Sequence, residues 1–179
     1  MEGGLPRTYR RPFVLTTPRA RIRLLTGADT PLLLRYRQQN RGHLARWEPL
    51  RSEDYYTYAA TRAYLDQVPA MAGEDRGYAL AALALDESEM LASISLNNVV
   101  RGVFQACHLG YSVAARHQGH GLMREVLPTV LAWAFGELGL HRVMANYMPA
   151  NQRSGRLLAA LGFEREGYAP RYLKIAGRW

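Results

Sequence analysis

A glycine-rich turn in the second half of the chain has the residue types of an anion-binding loop. Residues 116–121 read Arg-His-Gln-Gly-His-Gly and follow a predicted strand that ends at Val113. Glycines at the start of a helix let backbone N–H groups approach an anion closely, and the helix dipole strengthens that attraction. A pyrophosphate would fit such a loop, with Arg116 adding positive charge, although an ordinary strand-to-helix turn has the same pattern.

Two common phosphate-binding motifs do not match this loop. No Gly-Lys-Ser/Thr follows it, which excludes a Walker A motif. It also does not follow the first strand of a chain-long β-α-β repeat, as a dinucleotide-binding fingerprint would. The pattern therefore predicts an anion site without naming the anion.

Two polar residues, Asn151 and Ser154, open the next predicted helix. The strand before that helix is separated from Val113 by a single crossover, so the two loops can lie at neighbouring strand ends. Ligands bind to open sheets where adjacent strands part. Helix capping alone would also explain both residues.

The hydrophobic pattern that positions these residues predicts a strand meander followed by a β-α-β crossover. That order gives an α/β (α+β) fold with a mixed sheet and helices on both faces. Asp29 is predicted to cap the first helix, Pro128 to kink the third, and Gly162 to end the fourth in a left-handed conformation. The predicted strands cover residues 20–25, 78–85, 90–97, 104–113, 141–147 and 171–176, and the predicted helices cover residues 31–39, 55–67, 120–138 and 151–161.

Length and composition fit one domain. The 179 residues are 48% hydrophobic, which is enough to bury a core and excludes intrinsic disorder. No apolar run reaches about 18 residues, so no membrane span is predicted, and the polar, basic segment 1–12 is not a signal peptide. Because the single cysteine, Cys107, cannot form an intrachain disulfide, the expected compartment is the cytoplasm.

The positive charge lies in two separate regions. The net charge of +8 arises from eleven arginines against five acids in residues 1–60, two bases against six acids in residues 61–100, and ten bases against four acids in residues 101–179. Cationic surface predicts an anionic partner, such as a phosphorylated cofactor or RNA. The scattered histidines show no metal-ligand spacing, so no metal site is predicted.

These motifs together resemble the GNAT superfamily of acetyl-CoA-dependent N-acetyltransferases. The resemblance rests on Arg-x-x-Gly-x-Gly at Arg116, Asn-x-x-Ser at Asn151 and Leu-Gly-Phe at residues 161–163. Further similarity to the Rim group of ribosomal-protein acetyltransferases lies in segments 47–49, 98–102, 106–111, 118–123 and 144–155. The resemblance covers one domain, residues 19–179, with residues 1–18 as an N-terminal extension, and it implies that the last strand of the family is missing.

The resemblance implies a mostly antiparallel sheet with a splayed strand pair at a cofactor slot. It also implies direct transfer of an acetyl group from acetyl-CoA to a protein N-terminal α-amine, that of alanine in a ribosomal protein. Ser154, Glu48 and Asn146 are the implied catalytic residues. Trp47, Asn97 and Tyr147 are the implied substrate contacts. The implied cofactor contacts are Leu109, Tyr111, Val113, Arg116, Gln118, Gly119, His120, Gly121, Leu122, Asn151 and Ser154, with Arg153 near the phosphates.

Two positions depart from the pattern of the superfamily. Many GNAT enzymes carry a tyrosine one helical turn after the Ser154 position, as the acid for the leaving thiolate, whereas this chain has Leu158. A related enzyme uses a glutamate on the preceding strand as the base, whereas this chain has Asn146. In the Rim group a serine is the acid, which implies that Ser154 has this role here. Glu48 is the carboxylate expected to act as the base. The alternative is an ordered water in place of a basic side chain.

The missing base favours an α-amine over a lysine as acceptor. An α-amino group has a pKa near 7.7–8.0, whereas a lysine amine has a pKa near 10.4. At pH 7.5, deprotonating the α-amine costs under about 1 kcal/mol, and deprotonating the lysine costs about 4 kcal/mol. A site without a strong base therefore suits a protein N-terminus.

Two other functions remain open from the sequence. One is acetylation of a small-molecule amine by the same chemistry. The other is a non-catalytic RNA- or ribosome-binding module on the same fold. The expected partners are CoA, a protein N-terminus and nearby RNA, with no membrane, and the expected state is a monomer or weak dimer. Cys107 is not expected to act as a nucleophile, because it lies in mid-strand without a His–Asp partner set.

Overall fold

The fold is built on one six-stranded sheet. A computed structural model describes residues 13–179, so predictions that concern residues 1–12 lie outside the described part of the chain. The strands are β1 (Val14–Thr16), β2 (Arg21–Leu24), β3 (Gly77–Leu83), β4 (Met90–Val100), β5 (Ala106–Val113) and β6 (Arg142–Met144). The helices are α1 (Thr30–Leu44), α2 (Tyr58–Gly73), α3 (Leu122–Gly136) and α4 (Gln152–Ala160).

The strand order is sequential, β1-β2-β3-β4-β5-β6. All neighbouring strands are antiparallel except β5 and β6, which are parallel because α3 carries the chain back between them. The predicted meander and crossover, the mixed sheet and the α/β class are therefore confirmed.

Helices cover both faces of this sheet. On one face, small residues of β3 admit α2: a Cβ added to Gly77 would lie 3.5 Å from the Met71 methyl group. On the other face, the ring of Tyr78 meets the α3 residue Trp133 edge to face, with centroids 5.2 Å apart. Because successive side chains of a strand point to opposite faces, each strand contributes to both helix layers.

The ends of two helices follow from their capping residues. The predicted left-handed Gly162 is confirmed, with φ of 83°. The Phe163 amide donates to the Leu158 carbonyl at 3.0 Å, which closes the turn after α4. In α2 the side chain of Thr57 accepts a hydrogen bond from the Ala60 amide, so this helix begins later than predicted and runs on to Gly73.

Asp29 precedes α1 as predicted but does not cap it through its side chain. Its buried carboxylate instead accepts hydrogen bonds from the Thr26 amide at 2.8 Å and from both terminal nitrogens of Arg23 at 2.9 and 2.7 Å. Burial alone would raise the pKa of Asp29, but the hydrogen bonds from Arg23 and Thr26 outweigh it and hold the pKa below its ordinary value.

Three strand predictions differ from the structure. The predicted last strand at residues 171–176 is wrong, because Arg171 and Ala176 have left-handed φ values and Ile175 bridges only to Arg178 within one turn. The predicted strand at residues 141–147 pairs only over β6. Strand β1 was not predicted, and it brings part of the predicted extension 1–18 into the sheet.

Replacing the buried carboxylate at position 29 tests its role. We expect Asp29→Asn to lower the free energy of unfolding by roughly 2–3 kcal/mol at pH 7, because Arg23 loses its main charged partner. The effect of the substitution should shrink in acid. Because the pKa of Asp29 is lower in the folded protein than in the unfolded chain, its carboxylate stabilises the fold fully at pH values above the unfolded-state pKa, and this stabilisation is lost as the pH falls through the folded-state pKa. Urea unfolding of the wild-type protein and the variant measures the loss of stability at pH 7 and the smaller loss expected at pH 3.

Asp66→Asn is the matched control, because Asp66 pairs with Arg62 on the exposed surface of α2. Its effect should stay below about 0.5 kcal/mol at either pH. Equal effects of the two substitutions would contradict the stabilising role of the Asp29 cluster.

Candidate functional site

The candidate site lies where β5 and β6 separate. The two strands pair from Ala106 with Arg142 to His108 with Met144, and the pairing ends there. β5 continues to Val113, still hydrogen-bonded to β4 on its other side. The gap beside residues 109–113 of β5 is called the slot below. The splayed strand pair expected from the resemblance is therefore present.

Backbone groups of β5 point into the slot. The Gln105 carbonyl accepts from the His141 amide on the β6 side, whereas the Ala114 amide donates to the Leu91 carbonyl on the β4 side. Backbone groups alternate in direction along a strand, so the amides and carbonyls of Leu109, Tyr111 and Val113 face the slot. An extended ligand arm with amide groups could pair with this edge as a further strand would.

The glycine-rich loop lies at the end of β5. Gly119 and Gly121 have φ values of 83° and 76°, which strain any residue with a side chain. Within residues 13–179, the amides of Gly119, His120, Gly121 and Leu122 have no hydrogen-bond acceptor. These amides and the N-terminus of α3 form a site suited to an anion such as a pyrophosphate.

Arg19 and Asn40 hold this loop in place. The Arg19 guanidinium donates to the His120 carbonyl at 2.8 Å and to the carboxylate of Glu125 in α3 at 2.6 Å. The buried side chain of Asn40 in α1 accepts from the Ala115 amide at 2.8 Å. Long-range contacts from two other parts of the chain therefore fix the loop backbone, while the amides of residues 119–122 stay open.

Arg116 is held by an acid in the structure. Its guanidinium donates to Glu89 at 2.6 Å, and His117 lies 3.0 Å from the same carboxylate oxygen. Burial would raise the pKa of Glu89, but the hydrogen bonds from Arg116 and His117 lower it. Arg153 of α4 donates to Gln118 at 2.6 Å, which joins the second helix of the site to the glycine-rich loop.

Helix α4 brings Ser154 to the slot. Asn151 caps this helix, with its side chain accepting from the Ser154 amide at 3.2 Å. The Ser154 hydroxyl lies 2.7 Å from the Tyr111 hydroxyl on β5. Both residues are half-buried, so the structure brings the predicted acid of α4 directly against the strand that lines the slot.

The ring of Tyr147 packs against the start of α4. A Cβ built on Gly155 would lie 2.7 Å from the Cε2 atom of that ring, closer than any real contact allows. Only glycine at position 155 therefore permits the ring to lie where it does. Tyr147 remains 41% exposed and lies between the end of β6 and the first turn of α4.

Glu48 belongs to the opposite side of β5. The Tyr36 hydroxyl of α1 lies 2.8 Å from the Ser112 hydroxyl, and Ser112 points away from the face that carries Tyr111. Burial chiefly raises the pKa of Tyr36, and the negative charge of Glu48, which follows α1 in the chain, adds to that shift. Burial also raises the pKa of Glu48 itself, against the charges of Arg51 and Arg37.

The predicted catalytic residue Asn146 and the predicted substrate contacts Asn97 and Trp47 make few contacts with the rest of the site. Asn97 is exposed on β4, opposite His108 in the sheet register, and donates to the Ser95 hydroxyl at 2.8 Å. Asn146 is exposed just beyond the end of β6. Trp47 is half-buried after α1, with the Arg46 guanidinium 5.1 Å from its ring.

Cys107 has the properties of a core residue. It is fully buried, and burial raises its pKa to about 12. A thiol with so high a pKa is almost entirely protonated near neutrality and is a poor nucleophile.

Sequence reasoning missed three residues of the site, the loop supports Arg19, Asn40 and Glu89. It named Tyr111 as a cofactor contact but did not predict that its hydroxyl pairs with Ser154. The alternation of β5 could have indicated Tyr111, since it shares a face with Leu109 and α4 covers that face. Arg19 and Asn40 lie far from the loop along the chain, and no local pattern connects them to it.

The fold and the site define an acetyltransferase. The chain matches the family described as the acetyltransferase (GNAT) domain over residues 19–164. It belongs to the GNAT family of acetyltransferases. Enzymes of this family use acetyl-CoA as the acetyl donor.

Three relatives agree with this assignment. The ribosomal protein uS5-alanine N-acetyltransferase of Escherichia coli (strain K12) is 42% identical over 165 residues, covering 92% of this chain and 85% of that protein. The structure of ribosomal-protein-S5-alanine acetyltransferase from Vibrio fischeri has a TM-score of 0.89 and 34% identity, covering 93% of this chain and 91% of that one. Mycobacterium smegmatis RimJ, solved in complex with CoA-disulfide, has a TM-score of 0.85 and 26% identity, covering 94% and 82%.

Substitution at position 155 tests the packing of Tyr147. Gly→Ala inside a helix ordinarily stabilises by about 1 kcal/mol, whereas we expect Gly155→Ala to destabilise by roughly 1–3 kcal/mol because the added methyl group displaces the Tyr147 ring. Thermal and urea unfolding measure the sign.

The control is Gly136→Ala in α3, where no atom lies within 4 Å of an added Cβ. This variant should be neutral or stabilised. Stabilisation by both substitutions would show that Tyr147 does not require glycine at position 155.

Proposed function

We propose that this protein transfers the acetyl group of acetyl-CoA directly to the α-amine of an N-terminal alanine, and that its acceptor is a ribosomal protein equivalent to uS5. The observation that carries the proposal is the slot, which joins an open anion loop at one end to the Ser154 hydroxyl of α4. The 42% identity to a ribosomal protein uS5-alanine N-acetyltransferase supports the acceptor.

The residues of the slot fit CoA. The loop amides of Gly119, His120, Gly121 and Leu122 would hold the pyrophosphate, whereas the expected Gln118 amide already donates to the Ala115 carbonyl at 3.2 Å. The edge formed by Leu109, Tyr111 and Val113 would pair with the amides of the pantetheine arm. Asn151 would contact that arm beside the first turn of α4. Arg153 and Arg116 lie at the loop as added positive charge, with Arg116 shared between Glu89 and the phosphates.

Acceptor and leaving group would approach β5 from opposite faces. Glu48, near Tyr36 and Ser112, lies on the α1 side, and Ser154 lies on the α4 side. Acetyl-CoA supplies the acetyl group as a reactive thioester. The raised pKa of Glu48 suits it to take a proton from the incoming amine, and the amide of Tyr111 faces the slot, where it can polarise the thioester carbonyl. Ser154 would then protonate the departing sulfur.

The acceptor side suits an α-amine better than a lysine. Glu48 is half-buried and near two arginines, so it is a weak base even with its raised pKa. An α-amine loses its proton far more readily than a lysine side chain. Asn97, Asn146, Tyr147 and Trp47 would contact the first residues of the acceptor or hold a water beside them. The excess of arginine in residues 1–60 would favour an acceptor bound next to RNA, in the cytoplasm.

Acetylation of matched peptides tests the function. The protein is incubated with acetyl-CoA and with three peptides: one with a free N-terminal alanine, the same peptide with a blocked N-terminus and one lysine, and the N-terminal peptide of the organism's own uS5. Thiol release and mass spectrometry measure transfer. We expect transfer to both free alanine peptides and none to the blocked one. Transfer to lysine alone would overturn the α-amine assignment, and transfer to none would overturn the enzyme assignment.

Ser154→Ala tests the proposed acid. We expect kcat to fall at least about tenfold, because the sulfur leaves without a positioned proton donor. The Kd for CoA should change little, because the Asn151 cap uses only the amide of residue 154. Stopped thiol-release assays give kcat, and calorimetry gives the Kd. Unchanged turnover would remove Ser154 from the reaction.

Glu48→Gln tests the proposed base. We expect kcat/KM for the alanine peptide to fall by about tenfold or more with the Kd for CoA unchanged. The control is Glu53→Gln, which removes an exposed carboxylate that pairs with Arg41 of α1. Equal rates for the two variants would show that Glu48 is not the base.

A further inference from the structure

The Tyr111 side chain has no role in the function derived above, yet it makes the closest polar contact of Ser154. Its hydroxyl oxygen lies 2.7 Å from the Ser154 Oγ atom and 3.5 Å from the Ser154 carbonyl. No other hydrogen bond to either hydroxyl exists within residues 13–179. The two hydroxyls therefore form an isolated pair between β5 and α4.

The pair has a preferred direction. If Ser154 donated to Tyr111, the serine proton would point away from the slot, and the tyrosine proton would have only the 3.5 Å contact. If Tyr111 donates to the Ser154 Oγ atom, the tyrosine proton is used in a 2.7 Å hydrogen bond and the serine proton is free to point into the slot. Burial raises the pKa of Tyr111 above its ordinary value, so the phenol is protonated near neutral pH and available as a donor.

A serine alone is a poor acid for a thiolate. Loss of its proton leaves an alkoxide, which is a much stronger base than the thiolate it has just protonated. The reference pKa of a phenol is near 10 and that of a thiol near 8.5. Burial raises the pKa of Tyr111, but a phenol still gives up its proton far more readily than an aliphatic hydroxyl does. A tyrosine behind the serine would avoid the alkoxide if both protons moved together.

We propose that Tyr111 acts through Ser154 as a positioning and relay residue, so that tyrosine is the net proton donor to the leaving sulfur. This rests on the proposed function. The acceptor nitrogen forms a bond to the acetyl carbon and loses one proton to the base. The carbon–sulfur bond breaks, and the sulfur takes the proton of Ser154. Ser154 takes the proton of Tyr111, which leaves a tyrosinate. The base then releases its proton to solvent, and the tyrosinate takes a proton from solvent.

The relay accounts for the departure at Leu158. That residue is buried in α4, one turn after Ser154, where many GNAT enzymes have a tyrosine. Here a tyrosine reaches the same first turn of α4 from β5 instead. Ser154 connects the Tyr111 hydroxyl to the slot, so a phenol again supplies the proton, but from β5 and not from α4.

A double-mutant cycle tests the relay. Tyr111→Phe, Ser154→Ala and the double variant are compared for kcat, the KM of both substrates and the Kd for CoA. We expect Tyr111→Phe to lower kcat about tenfold with both KM values and the CoA affinity unchanged. In the Ser154→Ala background it should have no further effect, because the relay is already broken. Independent, multiplying effects would overturn the proposal.

The control for loss of a buried tyrosine hydroxyl is Tyr78→Phe. Tyr78 lies in β3 of the same sheet and donates to Asp75 at 2.7 Å, away from the slot. It should reduce stability without lowering kcat, and thermal unfolding compares the two tyrosine variants. If Tyr111→Phe loses stability but keeps its kcat, the contact is structural and the relay is wrong.

The cycle separates this inference from the proposed function. If wild-type protein transfers no acetyl group, the function itself fails. If Ser154→Ala lowers kcat and Tyr111→Phe does not, the function stands and only the relay fails.

Discussion

The parting of β5 and β6 is the constraint on which the rest of the site depends. While two strands pair, their backbone groups satisfy each other, and no ligand can enter between them. Beyond His108 and Met144 the pairing stops, and among the described residues 13–179 nothing pairs with the amides and carbonyls of Leu109, Tyr111 and Val113 on that edge of β5. Both α3 and α4 begin at the loops beside this gap, so two helix N-termini and one strand edge meet there.

An open strand edge and a loop of free amides are costly to maintain without support. Here the support comes from distant parts of the chain. Arg19 donates hydrogen bonds to the His120 carbonyl and to Glu125 in the first turn of α3. Asn40 of α1 accepts a hydrogen bond from the loop backbone. Glu89, in the turn before β4, contacts both Arg116 and His117. Pre-organised donors that need no rearrangement bind an anion more tightly than a mobile loop would. Because the loop is already ordered in the folded protein, anion binding does not have to supply the conformational entropy of ordering it.

β5 also separates the two groups of side chains to which the proposed mechanism assigns the chemistry. Ser112 points to the α1 face and contacts Tyr36, while Tyr111 points to the α4 face and contacts Ser154. Neighbouring residues of one strand thereby reach opposite faces of the sheet. In the proposed mechanism, this arrangement would let the acid Ser154 and the base Glu48 act on the same reaction without neutralising each other.

The sequence alone determined the parts that depend on local pattern. Hydrophobic periodicity predicted the meander, the crossover and all four helices, and glycine spacing predicted the loop, because these follow from near neighbours along the chain. Only the tertiary structure decided the contacts of Arg19, Asn40 and Tyr111, since their partners lie between 43 and 106 residues away along the chain. It also decided that residues 171–176 form no strand, because Ala176 donates to the distant Glu48 carbonyl and left-handed turns replace an extended backbone. Sequence pattern fixes which backbone shape a segment prefers, whereas side-chain partners across the fold depend on how the packed elements meet.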